Sequence, residues 1–214
     1  MDPSRVAGAL GIIQRKNISV GVHISPLRFK EEITRGGLVQ GNDKKIDRGP
    51  NPPGVYFTLI NPEQVGYFIG SGRLGGLVQK TRATFANLLN IAMRRGDQQF
   101  TVYLFDGEEA MRLNPEHEEK RRRHVFREIR LAHSETQAPW VPGDMLFSID
   151  YGKTERLLVA QRAMELKKTM RTPAGKIGPK HLGSYARFER VDFVMRAALQ
   201  AIESGCVPKV PKVG

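Results

Sequence analysis

The stretch that most constrains the fold is Gly54-Val55-Tyr56-Phe57-Thr58-Leu59, entered through the stiff segment Gly49-Pro50-Asn51-Pro52-Pro53. β-Branched and aromatic residues favour a strand. The two-residue period of a strand sends Val55 and Phe57 to one face and Gly54, Tyr56 and Thr58 to the other. One face can therefore pack while the other presents a phenol, a hydroxyl and bare backbone. The plain reading is a half-buried strand, and the functional one is a platform for a flat ligand beside a rigid loop.

Upstream, Ile18, Val20, Val22 and Ile24 alternate with Ser19, Gly21 and His23, which predicts a half-buried strand with His23 near the end of its polar face. Ser25-Pro26 predicts a helix start, with serine as cap, proline at the first helical position, Leu27, Ile33 and Phe29 apolar, and Gly36-Gly37 as the stop. Gln40 to Pro53 reads as a long loop of the kind that carries function. After the aromatic strand, Asn61-Pro62-Glu63-Gln64 starts a helical or turn segment, and five glycines predict irregular chain from Tyr67 to Leu77, a candidate flap. Thr81 to Arg95 has the stripe of an amphipathic helix, closed by Gly96. Gln99 to Asp106 is apolar on both sides and reads as a central strand, and Asp106-Gly107-Glu108-Glu109 has the spacing of a capping box.

The charged run from Glu116 to His124 reads as a solvated helix end, and the spacing of His117 and His124 does not suit a metal. Beyond it Val125, Arg127, Ile129 and Leu131 alternate with Phe126, Glu128 and Arg130, so a strand offers the Glu128 carboxylate from one face while Ile129 and Leu131 anchor the other. The default fate of such a glutamate is a pair with Arg130 or another arginine. Pro139-Trp140-Val141-Pro142-Gly143 turns the chain into a further strand, Met145 to Ile149, ending at Asp150. Two helices follow, Thr154 to Arg171 and Ser184 to Ser204, the second capped by Ser184 and ended by Gly205, with a linker whose Lys176, Lys180 and His181 could touch phosphate.

Charge narrows the partners. The 214 residues carry 34 Lys and Arg against 22 Asp and Glu, a formal charge of +12, which points to an anionic partner such as nucleic acid, a membrane surface or an acidic protein. A lone cysteine, Cys206, excludes an intramolecular disulfide framework and favours a reducing compartment. No apolar run reaches the roughly 18 residues of a membrane span, and Met1 to Asn17 lacks a secretory core, so a cytoplasmic protein without membrane attachment is expected.

In order and type, Val22-His23-Ile24-Ser25, then Ile33 with Gly36-Gly37-Leu38, then Gly54-Val55-Tyr56-Phe57-Thr58, and last Arg127-Glu128-Ile129 leading to Val141-Pro142-Gly143-Asp144-Met145, resemble the small ADP-ribosyltransferases of the His-Tyr-Glu/Asp group, in particular the polymorphic-toxin and DarT-like branch. The resemblance covers about residues 18–150. It implies an α+β fold in which a split pair of small antiparallel sheets encloses an NAD cleft, with a C-terminal helical extension (151–205) packed on that catalytic domain and a flexible tail (206–214). It further implies that NAD is a substrate, that no metal is needed, that His23 and Ser25 hold the adenosine-side ribose or the cleft edge, that Tyr56 stacks on nicotinamide with Gly54 and Phe57 beside it, and that Glu128 binds the ribose and stabilises its developing positive charge. Asp150 stands as the alternative acid.

Arginine-specific members of the wider superfamily that the chain resembles place an acid two before the catalytic glutamate; here that position is Phe126, so the resemblance implies that a protein-arginine acceptor is not the target. The surplus of basic residues favours RNA or DNA as acceptor, with Arg121, Arg122 and Arg123 as phosphate contacts, in a toxin of a toxin–antitoxin or phage-defence system with an antitoxin protein as a further partner. Modification of a protein, RNA 2′-phosphotransfer, and a catalytically silent nucleic-acid-binding module are the competing expectations.

Overall fold

The computed structural model describes residues 3–40, 52–93, 96–120, 124–169 and 179–207. It is an α+β structure built on a six-stranded antiparallel sheet, with a separate two-stranded sheet and flanking helices. The chain order is α1 (Pro3–Lys16), β1 (Val20–Pro26), a 3₁₀ turn (Leu27–Phe29), α2 (Lys30–Gly36), β2 (Leu38–Val39), β3 (Val55–Ile60), α3 (Pro62–Gly70), α4 (Leu74–Ala92) and β4 (Phe100–Asp106). It continues through α5 (Gly107–Leu113), β5 (His117–Lys120), β6 (Phe126–Leu131), β7 (Trp140–Val141), a 3₁₀ turn (Gly143–Met145), β8 (Phe147–Tyr151), α6 (Lys153–Thr169) and α7 (Pro179–Glu203). The large sheet runs β5-β6-β3-β1-β4-β8, and β2 pairs with β7 in the small one.

Strand alternation divides the hydrophobic residues between the two faces of the large sheet. Val20, Val22, Ile24, Ile60, Val102 and Leu104 join one core with α1, α4 and α7. Val55, Phe57, Leu59, Ile129 and Leu131 join a second core with Ala110 of α5 and with Leu38 and Val141 of the small sheet. The expected split of the aromatic strand, Val55 and Phe57 one way and Tyr56 and Thr58 the other, is what the register produces. β4 lies between β1 and β8 and is buried on both faces, as its doubly apolar sequence requires.

Local chemistry explains two of the helix starts. Asn61 Oδ1 accepts a hydrogen bond from Glu63 N at 3.1 Å with Pro62 in the first turn of α3, and Asp106 Oδ1 accepts from Glu108 N and Glu109 N at 3.0 and 3.1 Å at the start of α5. Gly37 closes α2 at φ 84°, a conformation that favours glycine, with its N–H donating to Ile33 O at 2.7 Å.

Several expectations are corrected. Ser25 does not cap a helix, because β1 continues to Pro26 in register with β4 and α2 begins only at Lys30. Tyr67 to Leu77 is not irregular, since α3 and α4 occupy all of it but Ser71 to Arg73. Gly66 is there for close packing: a Cβ would sit 3.1 Å from the Gln14 side chain of α1. The run from Glu116 is an edge strand, β5, rather than a helix end, because pairing with β6 outweighs its polar composition. Ser184 lies within α7, which starts at Pro179.

The N-terminal helix was not foreseen, although Val6, Leu10 and Ile13 have helical spacing and are fully buried. They share the main core with Met195, Ala198 and Ile202 of α7, on which α1 packs, so that helix completes the core rather than decorating it. α6 packs on α7. Val159 and Ala163 of α6 are buried, whereas Leu157, Leu158 and Met164 are exposed. Val207 also belongs to the main core. The loop residues 41–51, the arginines at 94, 95 and 121–123, most of the linker after Thr169, and the tail from Pro208 lie outside the described residues.

Candidate functional site

The site is made where the large sheet parts. β1 and β3 pair over three positions, Val20 with Ile60, Gly21 with Leu59 and Val22 with Thr58. Beyond them β1 continues with β4 as far as Pro26, and β3 continues with β6 as far as Val55. His23 bridges the seam, its Nδ1 2.7 Å from Tyr56 O. A carbonyl oxygen only accepts, so Nδ1 is the donor and a neutral ring leaves Nε2 as an acceptor. Burial lowers the His23 pKa from its ordinary 6.5, and the bond to Tyr56 O opposes that shift. The ring is neutral at pH 7. Its neighbour Tyr103 is fully buried, with ring centroids 6.4 Å apart. Burial raises the Tyr103 phenol to about 12, with Thr101 working against the rise and the Asp150 charge adding to it.

A cavity of about 190 Å³ opens at this seam. His23, Ile24, Tyr56 and Thr58 line it from β1 and β3, and Phe126 and Glu128 from β6. The remaining wall is one face of α4, Thr84, Asn87, Leu88 and Ile91, at helical spacing. His23, Tyr56, Phe57 and Glu128, all singled out from the sequence, thus converge on one cavity.

Glu128 pairs across the strands with Thr58 and is half-buried. The arginines that could neutralise it are committed elsewhere: Arg127 pairs with Glu119, and Arg130 grips Glu118 through Nε at 3.0 Å and Nη2 at 2.5 Å. Among the described residues, the side chains of Glu128, Thr58, Thr84 and Asn87 make no hydrogen bond or ion pair. Four polar groups with hydrogen-bonding capacity to spare therefore face one cavity whose other walls include Ile24, Leu88, Ile91 and Phe126.

Tyr56 is half-buried at the mouth, and its hydroxyl donates to Pro52 O. Arg130 Nη1 donates to Pro53 O at 2.8 Å, so two side chains of adjacent strands hold the end of the proline segment. Phe57 touches the cavity but is 2 % exposed, its ring set edge-on to Phe105 at 5.1 Å, which makes it a core residue first.

Other expected residues lie apart. Ser25 is buried opposite Thr101 and does not line the cavity. Gly54 serves strand packing, since a Cβ there would stand 2.6 Å from Leu131 O. Asp150 sits on the edge strand β8, accepting from Thr101 Oγ1 at 3.0 Å and paired with Lys30, with β4 and β1 between it and the seam. Arg121, Arg122 and Arg123 lie outside the described residues.

The α4 wall was missed. The amphipathic stripe of that helix was read for its core residues, while Thr84, Asn87 and Ile91 occupy the neighbouring face; an isoleucine outside the stripe was the signal in the sequence, and Ile91 is 47 % exposed. Among the described residues there is no group of three or more His, Cys, Asp or Glu placed to hold a metal ion, and no helix is long and apolar enough to cross a membrane. No protein-family model, no curated protein and no solved structure matches the chain.

Proposed function

We propose that this protein is an NAD-dependent ADP-ribosyltransferase that modifies nucleic acid, with the seam between β1 and β3 as its NAD cleft. One observation carries the reading: His23, Tyr56 and Glu128, drawn from three strands, line one cavity in which the carboxylate has no partner among the described residues. The cavity, about 190 Å³, is below the usual ligand-pocket range and suits one planar ring, so the rest of the dinucleotide would lie along the open seam.

In this reading Tyr56 offers its ring to nicotinamide, and Nε2 of neutral His23 accepts a hydrogen bond from a ribose hydroxyl. Cleavage of the bond between nicotinamide and C1′ leaves positive charge on the ribose. Glu128 supplies fixed negative charge there, an effect worth on the order of 10²-fold or more in rate. A nucleophile of the acceptor then bonds to C1′ as neutral nicotinamide leaves, and the proton of the nucleophile passes to solvent or to a carboxylate. The +12 charge supports a polyanionic acceptor held through its phosphates.

The test is to incubate the protein with NAD labelled in its adenylate and to follow the label into RNA, single-stranded DNA and protein over a salt series. Label in nucleic acid that falls steeply with salt, and falls further on charge reversal of Arg121, Arg122 and Arg123 while NAD hydrolysis by water persists, is the expected result. Label in protein would move the acceptor. Absence of both transfer and hydrolysis would end the reading.

A further inference from the structure

The α4 wall of the cavity has no role in the strand residues that suggested the activity, yet it lines the same cavity as Glu128. Thr84, Asn87 and Ile91 recur at intervals of three and four, so they stand on one face of α4 with Leu88 beside them. Asn87 and Ile91 are exposed and Thr84 and Leu88 half-buried, which makes this face a lip that a ligand meets at the cavity mouth. Neither the Thr84 hydroxyl nor the Asn87 carboxamide is engaged with any described residue. A carboxamide presents a donor and an acceptor side by side, and its best complement is a second planar group carrying the same pair in reverse. Leu88 and Ile91 add apolar surface of the kind the face of such a ring covers.

We propose that Asn87, with Thr84 beside it, is the specificity-determining residue of the cavity and selects a planar ring with an amide edge. This rests on the transferase reading for its biological meaning but not for its chemistry. Two sources share that edge: the carboxamide of nicotinamide, and the lactam edge of an acceptor base such as uracil or guanine. A ring bearing a carboxylate is rejected twice. It cannot donate to Asn87 Oδ1, and it brings a second negative charge to the cavity that already holds Glu128.

The test titrates nicotinamide, nicotinic acid and uridine separately into wild-type protein and into Asn87→Leu and Asn87→Asp, reading affinity by calorimetry or by shift of the melting temperature. Position 87 is exposed on a helix, and leucine is a strong helix former, so the unliganded leucine variant should melt like wild type. The expected result is that wild type prefers nicotinamide or uridine to nicotinic acid, and that both substitutions lower that affinity roughly tenfold, the scale of losing a pair of hydrogen bonds at a partly open site. Preference for nicotinamide would assign the edge to the leaving group, and preference for uridine would assign it to the acceptor. Equal binding of an amide-edged ring by wild type and Asn87→Leu would overturn the proposal, as would no binding of either ring by wild type. In both cases NAD-dependent labelling by the same wild-type preparation reports independently on the transferase reading, so the two failures are told apart.

Discussion

Glu128 on β6 and Asp150 on β8 stand on opposite halves of the same large sheet, both on strands and both partly exposed, yet their surroundings differ in kind. Asp150 is tied to Lys30 and Thr101, whereas Glu128 faces a cavity while its neighbouring arginines are taken by Glu118 and Glu119. A partnered carboxylate spends its field on the groups that hold it. An unpartnered one keeps its field for whatever enters. Pairing β6 with the edge strand β5 gives Arg127 and Arg130 carboxylate partners in Glu119 and Glu118, while Lys120 stands opposite Glu128 in the strand register.

The sharpest way to break this comparison is Glu128→Gln, which keeps size and removes charge. Label transfer from NAD should fall by two or more decades, roughly 3 kcal/mol, with the melting temperature and NAD affinity nearly unchanged. Full activity in that variant would erase the distinction between the two acids.

Tyr56 tests whether the cavity works as a stacking site. Tyr56→Ala should reduce transfer by about one decade, consistent with the ~0.5–1.5 kcal/mol of an aromatic stack, while Tyr56→Phe should retain most of it. Equal loss in both would assign the role to the phenol and its hold on Pro52.

A pH series sharpens the picture of the seam. Because burial depresses the His23 pKa below 6.5, the unfolded chain takes up this proton more readily than the folded one. The associated stability is present in full above the unfolded value and is lost as pH falls through the lowered folded value, with a slope of at most about 1.4 kcal/mol per pH unit. Denaturant titrations between pH 7 and pH 4 should show this slope, and His23→Gln should flatten it. An unchanged slope would mean that His23 does not carry it.

Asp150→Asn completes the comparison from the structural side. Loss of a half-exposed ion pair and weakening of one hydrogen bond should lower stability by about 1 kcal/mol or less, measured by chemical denaturation, with transfer activity kept. A large loss of activity at constant stability would bring Asp150 back as the acid.

Strands β1, β3, β4, β6 and β8, the central place of β4, the caps at Asn61 and Asp106, and the opposed faces of β3 were legible in sequence, because each depends on residues within one element. So were the types of three residues that meet in the cavity. What could not be read was which of them meet. Ser25 and His23 share a face of β1 and both pair with β4, yet only His23 lines the cavity, because it stands directly after Val22, where the pair with β3 ends and the seam opens, whereas Ser25 lies two residues further on. Likewise the Glu116 run looks like a solvated end until β6 offers it hydrogen bonds, and the glycines from Gly66 to Gly76 look like loop until α3 and α4 pack against α1, where only Gly66 meets a close neighbour, the Gln14 side chain. Sequence alone determined local preference, alternation and the strongly basic charge, since these are sums over neighbours along the chain. Tertiary structure alone decided that β1 and β3 part, that α4 lines the gap, and that Glu128 faces it without a partner among the described residues, because each of these follows from pairings between segments far apart in the chain.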